Sequence, residues 1–132
     1  NNVGNFMAFN IIDNDFEDNQ IGHYFGNGGS GTENTIYSEF RSNKIGNYFG
    51  FDGPTSGGNT IYSPFNNNLI GDSFYDNFIG EPSISSSFYR NDIGNDFREN
   101  IVYYEFQNNE IGNQFNNNIC GNEFLKNTIG NG

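Results

Sequence analysis

The sequence predicts an all-β chain: a single parallel β-helix, or β-solenoid, with 18-residue coils made of two nonapeptides each. Three observations carry that expectation. A nine-residue unit, N-x-I-G-N-x-F-x-x, recurs thirteen times between Val3 and Ile129, most plainly at Asn109-Glu110-Ile111-Gly112-Asn113-Gln114-Phe115. Its apolar positions alternate steps of four and five residues, which fits neither 3.6-residue helical spacing nor long strict alternation. Departures from the unit fall after alternate copies rather than at random.

The apolar ladder defines the elements in order: Val3/Met7, Ile12/Phe16, Ile21/Phe25, Ile36/Phe40, Ile45/Phe49, Ile61/Phe65, Ile70/Phe74, Ile84/Phe88, Ile93/Phe97, Val102/Phe106, Ile111/Phe115, Cys120/Phe124 and Ile129. Each is expected to be a short strand with one or two inward residues, closed by a corner. Asn stands two residues before the aliphatic position in twelve units: Asn1, Asn10, Asn19, Asn34, Asn43, Asn59, Asn68, Asn91, Asn100, Asn109, Asn118 and Asn127, with Pro82 as the exception. In an extended segment, residues i and i−2 share a face. These amides therefore point inward at corners, where they can bond the coils above and below as a ladder. A binding array is the alternative, but the spacing matches burial. Gly follows Ile in most units and is expected to supply a positive-φ corner.

Two details set the coil at two nonamers. Alternate units read Ile21-Gly22, Ile45-Gly46, Ile70-Gly71, Ile93-Gly94 and Ile111-Gly112, whereas the others carry Asp13, Tyr37, Tyr62, Ser85, Tyr103 and Gly121 after the aliphatic residue. The five-residue step from Phe to the next Ile becomes 11 after Phe25, 12 after Phe49 and 10 after Phe74. An 18-residue coil puts all three insertions at one corner of neighbouring coils. Six to seven coils follow, spanning about 31 Å at a strand spacing of roughly 4.8 Å. The cross-section is four-sided, and the usual preference for crossovers between parallel strands makes the coil right-handed.

Composition bounds the rest. The 132 residues suit one domain, 1–132, with 27 Asn, 18 Gly and no Trp. A net charge of −11 with five basic residues disfavours nucleic acid and anionic membranes as partners. The same acidity also serves simply to keep a repetitive surface soluble. Cys120, the lone cysteine, sits at an Ile position and reads as a small core residue, so no internal disulfide is available. No stretch of this sequence reads as a signal peptide or a transmembrane run. The chain starts in register with the repeat and stops in mid-repeat, which reads as a segment of a longer protein.

The pattern resembles pentapeptide-repeat solenoids, whose sides carry a small residue at i−2 and Leu or Phe at i. Asn10/Ile12 and Asn113/Phe115 fill those slots. It departs from them in its 4/5 step and in having Asn where Ala is usual. It is also similar to the Asn-rich β-helices of phage tail spikes, surface adhesins and polysaccharide-active enzymes. That likeness implies architecture and an extracellular, cell-surface or virion location; it specifies function poorly.

A solenoid core has no built-in pocket, so function is sought where the repeat breaks. The insertions are Gly26-Asn-Gly-Gly-Ser-Gly-Thr-Glu33, Gly50-Phe-Asp-Gly-Pro-Thr-Ser-Gly-Gly58 and Tyr75-Asp-Asn-Phe-Ile-Gly-Glu-Pro-Ser83. Stacked at one corner they gather Phe51, Tyr75 and Phe78 beside Asp52, Asp76, Glu33 and Glu81, a mixture suited to a sugar's apolar faces and hydroxyls. The loops read equally as tolerated decoration. Ile79-Gly80 imitates the repeat, so the third loop partly continues the helix. An outward column, Tyr37, Tyr62, Ser85 and Tyr103, followed by Ser38, Ser63 and Ser86, is either a recognition strip or stacking that stiffens the sheet.

Catalysis has thin support. His23 is the only histidine and no nucleophile elbow is present. A glycosidase needs two carboxylates some 5–10 Å apart, and Asp15 and Glu39 are expected in one column about 5 Å apart, but acidic residues are common on this surface. Gly28-Gly29-Ser30-Gly31 lacks the Asp of a calcium-binding nonapeptide roll, so no metal or cofactor is expected, beyond weak binding by Asp52, Asp76 and Glu81. The few Thr residues form no flat array. The expectation is a non-enzymatic rod of an extracellular or virion appendage whose loop corner recognises a glycan or surface partner. The alternatives are a self-assembling filament subunit, stacked end to end or trimeric, and a polysaccharide-degrading enzyme.

Overall fold

The computed structural model describes residues 1–8, 10–26, 34–50, 58–80 and 86–130. Among them are 25 strands of two or three residues and no helix. The strands form four parallel sheets. Sheet A stacks Asn2–Val3, Gln20–Ile21, Lys44–Ile45, Leu69–Ile70, Asp92–Ile93, Glu110–Ile111 and Thr128–Ile129. Sheet B stacks Phe6–Met7, Tyr24–Phe25, Tyr48–Gly50, Ser73–Tyr75, Asp96–Arg98 and Gln114–Asn116. Sheet C stacks Ile11–Ile12, Thr35–Ile36, Thr60–Ile61, Phe78–Ile79, Ile101–Val102 and Ile119–Cys120. Sheet D stacks Phe16–Glu17, Phe40–Arg41, Phe65–Asn66, Ser87–Tyr89, Glu105–Gln107 and Glu123–Leu125. The chain visits A, B, C and D in turn, so each circuit is one coil of a parallel β-helix built from two nonapeptides.

The interior follows from the 4/5 ladder. Sheets A and C point Ile or Val inward, at Ile45, Ile70, Ile61 and Ile79 among others, and sheets B and D point Phe inward. Phe25, Phe49, Phe74 and Phe97 stack face to face with centroids 4.8, 4.8 and 5.1 Å apart. Phe40, Phe65 and Phe88 form the second stack at 5.0 and 5.2 Å. The two stacks meet edge to face, as at Phe49–Phe65 (5.2 Å, 68°). Edge-to-face pairs add to the roughly 1.5–3 kcal/mol that burying each such side chain contributes.

Two asparagine ladders close the corners. Asn19, Asn43, Asn68, Asn91, Asn109 and Asn127 line the D–A corner, and Asn10, Asn34, Asn59, Asn77, Asn100 and Asn118 the B–C corner. At Asn68 the pattern is complete. Its Oδ1 accepts from the N–H and Nδ2 of Asn43 at 2.9 and 3.3 Å. Its Nδ2 donates to Phe40 O at 3.1 Å and to Asn91 Oδ1 at 3.1 Å. The amide thus satisfies main-chain groups that a corner would otherwise bury unpaired.

Three expectations are corrected. The Gly after Ile does not supply positive φ. Left-handed φ belongs instead to Asp18, Ser42, Asn67, Arg90, Asn108 and Lys126 at the D–A corner, and to Gly26, Gly50, Asp76, Glu99 and Asn117 at the B–C corner. The I-G glycine serves close approach: a Cβ on Gly71 would stand 1.8 Å from Gly46 O. Gly80 alone of the I-G glycines has positive φ.

The repeat also keeps its phase through the third insertion. Ile79, not Ile84, joins sheet C, pairing with Ile61 and Val102. The reason lies two residues upstream. Asn77 supplies the ladder amide for Ile79, whereas Pro82 has neither an amide side chain nor an N–H to offer Ile84. The ladder therefore runs without an exception.

The third correction follows from that phase. Segments 27–33 and 51–57 leave sheet B and re-enter sheet C, at the B–C corner of adjacent coils. Segment 81–85 instead separates sheet C from sheet D on the next coil. The 18-residue coil holds, but the three insertions do not share one corner.

Candidate functional site

Sheet C is the side that all three insertions border. Its outward residues are Ile11, Thr35, Thr60, Phe78, Ile101 and Ile119, in register from coil to coil. The next position along each coil adds Asp13, Tyr37, Tyr62, Gly80, Tyr103 and Gly121. Apart from Asp13, neither column carries a formal charge, on a chain of net charge −11. Tyr37 and Tyr62 stack in parallel at 5.1 Å, with Tyr37 53% exposed. Phe78 meets Tyr103 edge-on at 5.1 Å. Ser38 and Ser63 anchor this strip by donating to Asp13 O and Tyr37 O of the preceding coil.

The expected site residues separate into three groups. Tyr37, Tyr62 and Phe78 come together on the sheet C face. Tyr75 and Asp76 lie on the far side of the B–C corner, at the base of the second insertion. A Cβ on Gly58, where that insertion returns, would meet Asp76 O at 1.5 Å. Tyr75 is held there, its hydroxyl donating to Glu99 Oε2 at 2.9 Å and its ring under the Arg98 guanidinium at 4.4 Å. Phe51, Asp52 and Glu81, with Glu33, Pro82, Ile84 and Ser85, lie outside the described residues. The described strands show only that residues 27–33 and 51–57 each join sheet B to sheet C, and that residues 81–85 join sheet C to sheet D.

A groove of about 350 Å³ lies at the C–D corner, lined by Ser86, Ser87, Tyr104, Glu105, Asn122 and Glu123. Of these residues the sequence reading named only Ser86, as part of an exposed Tyr/Ser strip, and the structure buries it; the others fill ordinary variable slots, and only the register brings Glu105 opposite Glu123. The Thr residues were read as forming no flat array; Thr35 and Thr60 do stand opposite each other on the sheet C face.

The expected catalytic alternatives find little here. Asp15 and Glu39 occupy one outward column, just before the paired Phe16 and Phe40. Arg41 pairs with both Glu17 and Glu39, which ties Glu39 into a surface ion network. His23 is exposed and stands edge-on to Tyr24 at 6.3 Å. Cys120 is partly buried below Val102, and burial pushes its thiol up from 9.0 to about 11. Such a thiol is a poor nucleophile at neutral pH. Among the described residues no three His, Cys, Asp or Glu side chains gather as a metal cluster, and no helix is long and apolar enough to cross a membrane.

No family model, curated protein or solved structure matches the chain.

Proposed function

We propose that this chain is a rigid, non-enzymatic β-solenoid segment of an extracellular or virion appendage, and that the outer face of sheet C recognises a neutral glycan. The observation that carries the reading is the placement of the insertions. In solenoids, insertions mark the binding face, and here all three border the same sheet. The chemistry of that face supports it. Tyr37, Tyr62, Phe78 and Tyr103 offer aromatic surface with polar tips, and Thr35 and Thr60 offer hydroxyls. From Thr35 to Tyr103 the described outward columns of sheet C carry no formal charge, which favours a neutral ligand, because the rest of an acidic surface repels an anionic one.

The test is binding of the purified chain to a broad glycan panel, beside a variant with segments 27–33, 51–57 and 81–85 cut back to the plain nonamer. The reading expects binding to neutral glycans, insensitive to salt, that weakens at least tenfold in the variant. Binding to acidic glycans alone, or none at all, would remove it. The uniform Asn and Phe columns favour a second reading, a purely structural filament unit. Concentration-dependent fibres in an electron microscope, with no glycan bound, would select that one.

A further inference from the structure

We infer that the sheet C face takes a linear, extended polysaccharide of equatorially linked neutral pyranoses, laid along the rod axis with one sugar per coil. The inference rests on the glycan reading and names its ligand class and orientation. It starts from the pitch. Inside the rod, Phe49–Phe74 and Phe65–Phe88 stack with centroids 4.8 and 5.2 Å apart. Outside, on the sheet C face, Tyr37–Tyr62 and Phe78–Tyr103 are each 5.1 Å apart. A pyranose chain joined through equatorial bonds, such as a β-1,4-glucan, is a straight ribbon that advances per sugar by about one strand spacing. Axial bonds, as in an α-1,4-glucan, curl the chain away from a straight face.

Pitch alone is common to all four sides, so the second observation is what each coil repeats. Sheet C supplies one aromatic ring from each of four consecutive coils: Tyr37, Tyr62, Phe78 and Tyr103. The outward strand residues beside them, Thr35, Thr60, Phe78 and Ile101, are in register and uncharged. The other sides do not sustain this. On sheet B, the rings of Phe6, Tyr24 and Tyr48 give way in the same register to Ser73 and then Asp96. On sheet A the outward column carries Lys44 and Asp92. Rings with polar tips and hydroxyls suit the C–H faces and hydroxyls of successive sugars. A strip that stays neutral on a chain of net charge −11 excludes an acidic polymer, which would meet repulsion along its length. Four coils cover three strand spacings, roughly 14 Å, so four sugars fill the strip.

The test is calorimetric titration of the whole chain with oligosaccharides of two to six sugars. One set is β-1,4-linked, of glucose and of N-acetylglucosamine; the other is α-1,4-linked glucose. The inference expects affinity in a β-linked series to rise at least about twofold with each sugar up to four and then level off. The α-linked series should gain nothing beyond two sugars. Tyr103→Ala should bring the levelling-off down by about one sugar while the disaccharide binds as before, which a general loss of stability would not do. Equal gains in the α- and β-linked series, or affinity independent of length, would overturn the axial alignment and leave the glycan reading standing. Failure of both β-linked series while other neutral glycans bind would do the same. Failure of every neutral glycan to bind would overturn both.

Discussion

Sheets A and C have the same interior and opposite exteriors. Inward, both present a column of aliphatic residues at 2% exposure or less through the middle coils. Both follow an asparagine ladder, Asn43–Asn68–Asn91 before sheet A and Asn59–Asn77–Asn100 before sheet C. Outward, sheet A shows Gln20, Lys44, Leu69, Asp92 and Glu110, and no insertion borders it. Sheet C shows Thr35, Thr60, Phe78 and Ile101 beside a tyrosine column, and every insertion borders it. The inward half of the repeat builds the rod, and the outward half is free to differ from side to side. Mutations should separate the two.

The largest effect falls on the shared interior. Phe65 is fully buried between Phe40 and Phe88, and Phe65→Ala should cost about 3–5 kcal/mol in denaturant unfolding. Next comes the ladder. Asn68→Ala takes the Asn68 amide away from Phe40 O and from the Asn43 N–H, while Asn43 Nδ2 keeps Phe16 O, at about 1–3 kcal/mol for each group left unsatisfied. The outward column of sheet C behaves differently. Tyr62→Ala removes one stacked ring worth about 0.5–1.5 kcal/mol, so unfolding should shift little while glycan affinity falls at least tenfold. An equal loss of affinity from Leu69→Ala on sheet A would erase the distinction between the faces.

How much was readable follows the same division. The inward positions announce themselves, because the nonapeptide fixes Ile, Phe and Asn at spacings that only one architecture buries together. Asn77 and Ile79 were readable in principle: the N-x-I-G signature is intact there, and Pro82 cannot serve as a ladder residue. The longer spacing to Ile84 obscured it. The I-G glycine was misread because close approach between coils and positive φ both select Gly, and only the backbone distinguishes them. The outward site was less legible. Thr35 meets Thr60, and Glu105 meets Glu123, only through the register between coils, which no local spacing displays.

The smallest effect belongs to Cys120. Its thiol stays protonated in the folded chain up to about pH 11, while the unfolded chain releases that proton near 9.0. Stability should therefore fall as pH rises from 9 to 11, since the unfolded state then binds fewer protons. Cys120→Val, matching Val102 on the adjacent strand, should remove that component of the pH profile.

The most direct test of the account compares paired surface variants on a neutral glycan that binds the parent chain. One variant is Tyr37→Ala with Tyr62→Ala on the sheet C side; the other is Lys44→Ala with Leu69→Ala on sheet A. Both should unfold within about 1 kcal/mol of the parent per substitution. The account predicts that the first loses binding and the second keeps it. Binding retained by the first, or lost equally by both, would contradict the claim that this solenoid concentrates recognition on one of its four sides.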